Sequence, residues 1–171
     1  MFTNLQIDLE AIPNLEDVVL KPISKRYLNV ILVNKILLFG ALYTALFLGK
    51  WFADDVLFLD YFWYLFLVLS IFVIGNIVVS VLAFYKRKYA IREKDVIYSK
   101  GLLVHKLTTV PISRIQHIEE SRSWLARQFQ LASIKIFTAG ESGSDLSIHG
   151  LPEDEAAYIN DFLSSKVNGD S

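Results

Sequence analysis

Residues 61–85, YFWYLFLVLSIFVIGNIVVSVLAFY, carry no charged side chain. At about 1.5 Å of rise per residue, a helix over this run crosses a bilayer core of roughly 30 Å. A core helix of a soluble domain rarely runs so far without a charge, so the segment reads as a membrane span. It constrains everything else: an apolar segment before it must share the membrane, and a polar segment after it must fold outside. Hydrophobic residues make up 53% of the chain, and the excess is concentrated in this one region.

A first span is read over 28–50, within YLNVILVNKILLFGALYTALFLGKWF, although the stretch includes Asn34, Lys35 and Lys50. Lys50 suits the outer interface, and Lys35 can snorkel back toward headgroups. Asn34 and Asn76 lie at similar depth in an antiparallel hairpin and are expected to hydrogen-bond across it. The alternative makes Asn34, Lys35 and Asn76 part of a transport path, which two spans per chain support only in an oligomer.

The connection WFADDVLFLD carries Asp54, Asp55 and Asp60, whereas Lys21, Lys25, Arg26 and Lys35 precede the first span and Lys86, Arg87 and Lys88 follow the second. The positive-inside rule then places both termini in the cytoplasm of a multi-pass protein of the cell membrane. Trp51, Phe52, Tyr61, Trp63 and Tyr64 are expected in the outer aromatic belt, with Tyr27 and Tyr85 at the inner interface. The first twenty residues hold four acids and no Lys or Arg, which argues against a cleavable signal peptide. The chain thus divides into an N-terminal segment (1–26), a two-span hairpin (27–85), a cytoplasmic domain (86–167) and a tail (168–171).

In the domain, KYAIRE (88–93) and DVIYSK (95–100) read as paired strands about a turn at Glu93–Lys94–Asp95. LLVHKLTTV (102–110) follows Gly101; SIKIFT (133–138) and SDLSIHG (144–150) alternate, with Ile134, Ile136, Leu146 and Ile148 inward. About six short strands imply an antiparallel sandwich or partly open barrel. Ser123 is a suitable N-cap for a helix at 124–130, whose Trp124, Leu125 and Phe129 are expected to face a core. A last helix is expected from Pro152, with Glu153, Asp154 and Glu155 at the positive end of its dipole. Its apolar stripe is Ala156, Ile159, Phe162, Leu163 and Val167. A small antiparallel sheet closed by one C-terminal helix is the ground plan of a pleckstrin-homology (PH) domain.

VPISRIQHIEESRSWLARQFQLASIKIFTAG (110–140) resembles the hallmark of the bacterial PH-like, membrane-flanked (YdbS-like) family: a Pro–Ile–Ser–Arg–Ile–Gln strand, a short helix with an Arg, a Leu–Ala step and a strand ending Thr–Ala–Gly. The resemblance covers about 27–167. It makes Pro111, Arg114, Ile115, Trp124, Leu125, Arg127, Phe129 and Leu131 structural motif residues. One departure stands at Gln130, where relatives often have Gly suited to a left-handed helix C-cap; a different cap is expected here. The resemblance implies a membrane-anchored α+β protein, a two-helix hairpin followed by a PH-like barrel capped by a helix. It carries no established enzymatic activity, and it implies no cofactor.

Candidate chemistry is sparse. His117 and Glu119 share a strand face and His105 is expected on a neighbouring strand, so a metal site is conceivable, against the simpler reading of a solvated face. Glu119 and Glu120 point to opposite faces, which disfavours an acid pair. Arg114, Arg122 and Arg127 are read as salt-bridging to Glu119, Glu120 or Glu141 rather than holding a phosphate. Absence of cysteine removes thiolate and Cys-based metal chemistry. The net charge of -1 and the lack of a basic stripe exclude nucleic acid as an expected partner. Lys86, Arg87, Lys88, Arg92 and Lys94 form the best candidate surface for lipid headgroups. Residues 86–171 hold 12 Lys and Arg against 11 Asp and Glu, so generic rather than specific attraction is expected. The leading expectation is a non-catalytic interaction module that binds a protein partner or assembles with itself or related subunits; the alternative is a lipid-sensing or lipid-handling module.

Overall fold

The computed structural model describes residues 18–52, 56–139 and 146–169. The N-terminal acidic segment up to residue 17, residues 53–55 of the connection, the glycine-bearing segment 140–145 and residues 170–171 lie outside the described residues.

Two long helices form the hairpin, α1 (Arg26–Phe52) and α2 (Val56–Tyr85). Both are long and apolar enough to cross a membrane. Helix α2 begins at Val56, so Leu57–Asp60, expected in the connection, are its first turn. With 27 and 30 residues, the helices run about 40 and 45 Å, longer than a bilayer core of roughly 30 Å. The surplus on α1 is used at its start, as described below.

The facing seam is aromatic. Phe39 meets Phe72 edge-on at 6.3 Å, Tyr43 meets Phe66 at 5.5 Å, and Phe47 meets Phe62 at 5.5 Å. Lys50 lies 4.3 Å over the Phe62 ring and 4.8 Å over Trp63, which holds its charge at the connection end of the hairpin. The expected Asn34–Asn76 contact does not form. Asn34 is exposed, and Asn76 Oδ1 instead accepts from Lys35 Nζ at 2.6 Å. An ammonium in an apolar seam gains more from a carbonyl oxygen than a second amide does, because its desolvation is the larger cost. Lys35 therefore turns across the seam, within 5.8 Å of the Phe39 ring, rather than snorkelling.

The remaining chain is an antiparallel sandwich in two sheets. A four-stranded sheet has the order β1 (Lys21–Pro22), β2 (Lys88–Ile91), β3 (Asp95–Lys100) and β4 (Lys106–Pro111). A three-stranded sheet has the order β5 (Ile115–Ser121), β6 (Leu131–Thr138) and β7 (Leu146–Pro152). A 3-10 turn at Ile112–Arg114 carries the chain between them, held by Ile112 N–H donating to the Lys94 carbonyl at 2.9 Å. Helix α3 (Trp124–Gln128) links β5 to β6, and α4 (Glu153–Gly169) closes the sandwich. Six strands follow the hairpin as the alternation implies; β1, drawn from the segment before α1, is additional.

Two boundaries and one burial in the domain differ from expectation. Strand β4 starts only at Lys106, because the turn after Gly101 continues through His105. Pro152 is the last residue of β7, paired with Leu131, and α4 starts one residue later. Trp124, expected in the core, is 72% exposed on α3, while Leu125 and Phe129 are partly buried. A one-turn helix has room to bury only one side, and Ala126 with its two flanking apolar side chains occupies it.

The core lies between the sheets: Val96, Tyr98, Ile134, Ile136, Ile148 and Leu151 are fully buried, and α4 adds Ala156, Ile159 and Leu163. Ile23, before α1, and Phe84, in the last turn of α2, belong to the same cluster. The domain core is thus completed by the two ends of the hairpin.

The Lys35–Asn76 contact generates a test. Asn76→Leu leaves the ammonium without its acceptor and is expected to destabilise the hairpin by about 1–2 kcal/mol, with Lys35→Leu/Asn76→Leu recovering most of the loss. Denaturant unfolding of the detergent-solubilised chain measures both; a double variant no better than the single one would contradict the pairing.

Candidate functional site

The organising site is the junction where hairpin and domain interlock. Ser24 N–H donates to the Gly150 carbonyl at 3.0 Å, bringing the chain alongside β7 just before α1 begins. Tyr27 then lies flat over β7. Gly150 has φ +80, and a Cβ there would sit 2.5 Å from Tyr27 Cγ. The ring fits only because residue 150 lacks a side chain, and glycine also tolerates the left-handed backbone. Tyr27 stacks on His149 with centroids 6.5 Å apart and planes 8° from parallel. Expected at the inner interface, Tyr27 is packed against the domain in the first turn of α1. One turn on, Val30 is buried against Ala126 and Leu131, with Leu125 and Phe129 beside them.

The motif helix α3 is therefore the socket for α1. Ser123 caps it, its Oγ accepting from Ala126 N–H at 3.2 Å. At its other end Gln130 itself adopts the left-handed conformation, φ 55, so no different cap is used. That conformation is disfavoured for a residue with a Cβ. Two contacts hold it: Gln130 Oε1 accepts from Arg26 Nη1 at 2.9 Å, and its carbonyl accepts from Glu153 N–H at 3.1 Å. The residue that departs from the family pattern thus ties α3 to the first residues of both α1 and α4. Of the other motif residues, Pro111 ends β4, Arg114 ends the 3-10 turn exposed, Ile115 and Leu131 are buried, and Arg127 is exposed.

The Arg87 guanidinium lies over the Tyr27 ring, 5.8 Å from its centroid. Lys86, Arg87 and Lys88 sit directly after α2, at the membrane end of the domain. Arg92 and Lys94 do not join them. Strand β2 runs away from α2, so these two occupy the far β2–β3 turn, where Arg92 forms a two-pronged ion pair with Asp95. The five expected headgroup contacts split into two groups at opposite ends of a hairpin. Pairing of Lys88 with Ser99 instead returns Lys100 to the membrane end, opposite Lys106. Neither lysine was singled out from the sequence; the strand register was the signal that could have found them.

The candidate metal ligands are not brought together. His105 Nε2 hydrogen-bonds Ser99 Oγ at 2.8 Å, His117 packs on Phe137 with centroids 5.2 Å apart, and Glu119 pairs with Lys135 at 2.9 Å. Among the described residues no group of three His, Asp or Glu side chains could hold a metal ion. Glu120 pairs with Arg122 at 2.6 Å, and Arg122 also pairs with Glu153. Glu141 lies outside the described residues.

A hairpin of membrane-length helices interlocked with a two-sheet, helix-capped sandwich defines a membrane-anchored PH-like protein. The chain matches the family described as Bacterial PH domain over residues 30–167, and it belongs to that family. It is similar to the UPF0699 transmembrane protein YdbS of Bacillus subtilis (strain 168), 29% identical over 80 residues. That match covers 45% of this chain and 46% of the relative, so the matched region spans less than half the relative's length. No solved structure matches.

The junction makes stability depend on pH. Burial lowers the His149 pKa from its ordinary value, and the positive charges of Arg87, Lys100 and Lys135 lower it further. The folded state thus disfavours the protonated ring. Above the unfolded value of about 6.5 both states are neutral and nothing is lost; below it the unfolded chain binds the proton first, and stability falls. Thermal unfolding in detergent is expected to show a lower Tm at about pH 5.5 than at about pH 7.5, with His149→Gln removing part of that difference. An unchanged difference in the variant would contradict the assignment.

Proposed function

We propose that this chain is a non-catalytic interaction module. Its hairpin holds the PH-like domain in a set orientation at the cytoplasmic face of the cell membrane, where the domain engages a protein partner, a second copy or a related membrane subunit. Basic residues at the domain end of both helices support that orientation.

The observation that carries the reading is a groove between β2 and α4. It encloses about 300 Å³, with Ala90, Ile91, Ile159 and Phe162 among its walls. Val19 and Tyr158 stand at its rim, 91% and 73% exposed. The β1 ladder ends at Tyr89. Arg92 N–H donates to the Asp95 carbonyl at 2.9 Å, so by the alternation of an antiparallel pair the Ile91 main chain faces away from β3, toward an edge that no strand among the described residues covers. An extended protein segment gains main-chain hydrogen bonds there and sets apolar side chains against α4. A polar end wall is already arranged. Glu155 Oε1 accepts from Lys21 Nζ at 2.6 Å and Tyr89 Oη at 2.5 Å, and burial, then that bond, raises the Tyr89 pKa and keeps the phenol a donor.

Lipid-headgroup contact is the second reading. It is favoured by Lys86, Arg87 and Lys88, which have no acidic partner within ion-pair distance among the described residues. Arg92 is engaged with Asp95 and Lys94 is at the far turn, so neither supports it.

A photo-reactive residue replacing Tyr158 in the native membrane tests the partner reading. Expected is a discrete protein adduct, diminished by Val19→Glu on the same rim. Adducts with lipid alone would contradict it.

A further inference from the structure

The β3–β4 loop is the most conspicuous feature that the partner reading leaves unused. Leu103 and Val104 are 95% and 78% exposed, Leu103 more than any other large apolar side chain of the described residues. Exposed side chains on α1 and α2 are accounted for by the membrane; these two belong to the domain. Their place is set by the backbone. Gly101 has φ +111, and a Cβ there would collide with the Val104 carbonyl. The chain therefore folds tightly back on itself and pushes Leu103 outward at the tip.

The loop lies at the membrane end. Strand β3 returns from the far turn, and Val104 lines the same cleft as Ala83, in the last turn of α2. That cleft, of about 350 Å³, is completed by Gly101 and by three cations, Arg87, Lys100 and Lys106. Lys100 and Lys106 are direct cross-strand partners. Like charges directly opposite each other are destabilising unless an anion lies between them. Among the described residues none of the three has an acidic partner within ion-pair distance. An apolar tip, a group of cations without acidic partners behind it and a membrane helix alongside match the layers of a leaflet: acyl chain, then anionic headgroup.

We infer that the β3–β4 loop dips Leu103 and Val104 into the leaflet nearest the domain, and that the Arg87–Lys100–Lys106 cleft holds the phosphate of an anionic phospholipid there. The inference deepens the lipid reading and is independent of the β2–α4 groove. It makes the domain a reader of the leaflet it is anchored in, with the anchor supplying proximity and the loop supplying the contact.

The chain contains no cysteine, so Leu103→Cys gives a unique attachment point for an environment-sensitive fluorophore. The full chain is reconstituted in vesicles of phosphatidylglycerol and phosphatidylcholine, with Lys94→Cys at the far turn as the comparison. Expected is protection of the position 103 label from aqueous iodide, together with quenching by a nitroxide near the top of the lipid acyl chain; the position 94 label shows the reverse. Equal iodide access at both positions overturns the inference. Protection without nitroxide quenching also overturns it, since protein rather than lipid then covers the loop. A blue shift of the label in detergent on adding inorganic phosphate alone overturns the lipid source, leaving a free-anion site.

Charge variants supply the second arm. Lys100→Gln and Lys106→Gln are each expected to lower the retention of phosphatidylglycerol relative to phosphatidylcholine on extraction by about fivefold. If Lys86→Gln/Lys88→Gln lowers retention and the cleft variants do not, the basic residues after α2 alone contact headgroups. The loop inference then fails while the lipid reading stands.

Discussion

Tyr27 rests on β7 where residue 150 has no side chain, and the order of the whole molecule follows from that contact. It fixes the first turn of α1 against the domain, so Val30 reaches the pocket made by Ala126 and Leu131. With α1 placed, the seam of aromatic pairs places α2, and α2 delivers Phe84 back into the same core that Ile23 enters from the other side. A membrane hairpin and a domain of this size are commonly joined by a flexible linker. Here the joint is part of the core, and the domain inherits the orientation of the helices.

That orientation gives meaning to surface features that are otherwise unremarkable. A strand that starts at the end of α2 must run away from the membrane, and its partner must return. The β2–β3 turn is therefore distal, and the β3–β4 loop is proximal. Arg92 and Lys94, near in sequence to the basic residues after α2, end up far from the membrane; Lys100 and Lys106, more distant in sequence, end up beside it. The groove between β2 and α4 opens beside the β1 edge of the first sheet, where Val19 and Lys21 border it. The groove and the Arg87–Lys100–Lys106 cleft share no lining residue, so the two proposed contacts do not compete for one site.

Much of this architecture was legible in the sequence. A charge-free run at 61–85 has one physical home, and strict alternation at 133–138 and 146–149 permits one inward set, Ile134, Ile136, Leu146 and Ile148. The stripe from Ala156 to Val167 likewise identifies a helix on a core. What stayed hidden depended on pairing between distant segments. Trp124 reads as core because it is large and apolar, yet a single turn presents one narrow face, and Ala126 took it. Asn34 and Asn76 look like partners by depth, but rotation about the helix axes brings Lys35 to Asn76. Gln130 looks like a lost glycine, and nothing local reveals that Arg26, more than a hundred positions earlier, helps hold its left-handed backbone. The candidate site was half visible: the basic residues after α2 stand out in composition, whereas their companions are supplied by strand register.

The central claim, that domain and hairpin move as one body because Tyr27 is seated on Gly150, is tested most directly by a distance measurement between them. Spin labels at Val56→Cys on α2 and Lys166→Cys on α4, in the reconstituted chain, report the separation by double electron–electron resonance. The account predicts a single narrow distribution, and a broad one when Gly150→Ala denies Tyr27 its seat. A broad distribution in the parent chain, or a narrow one that Gly150→Ala leaves unchanged, would contradict it.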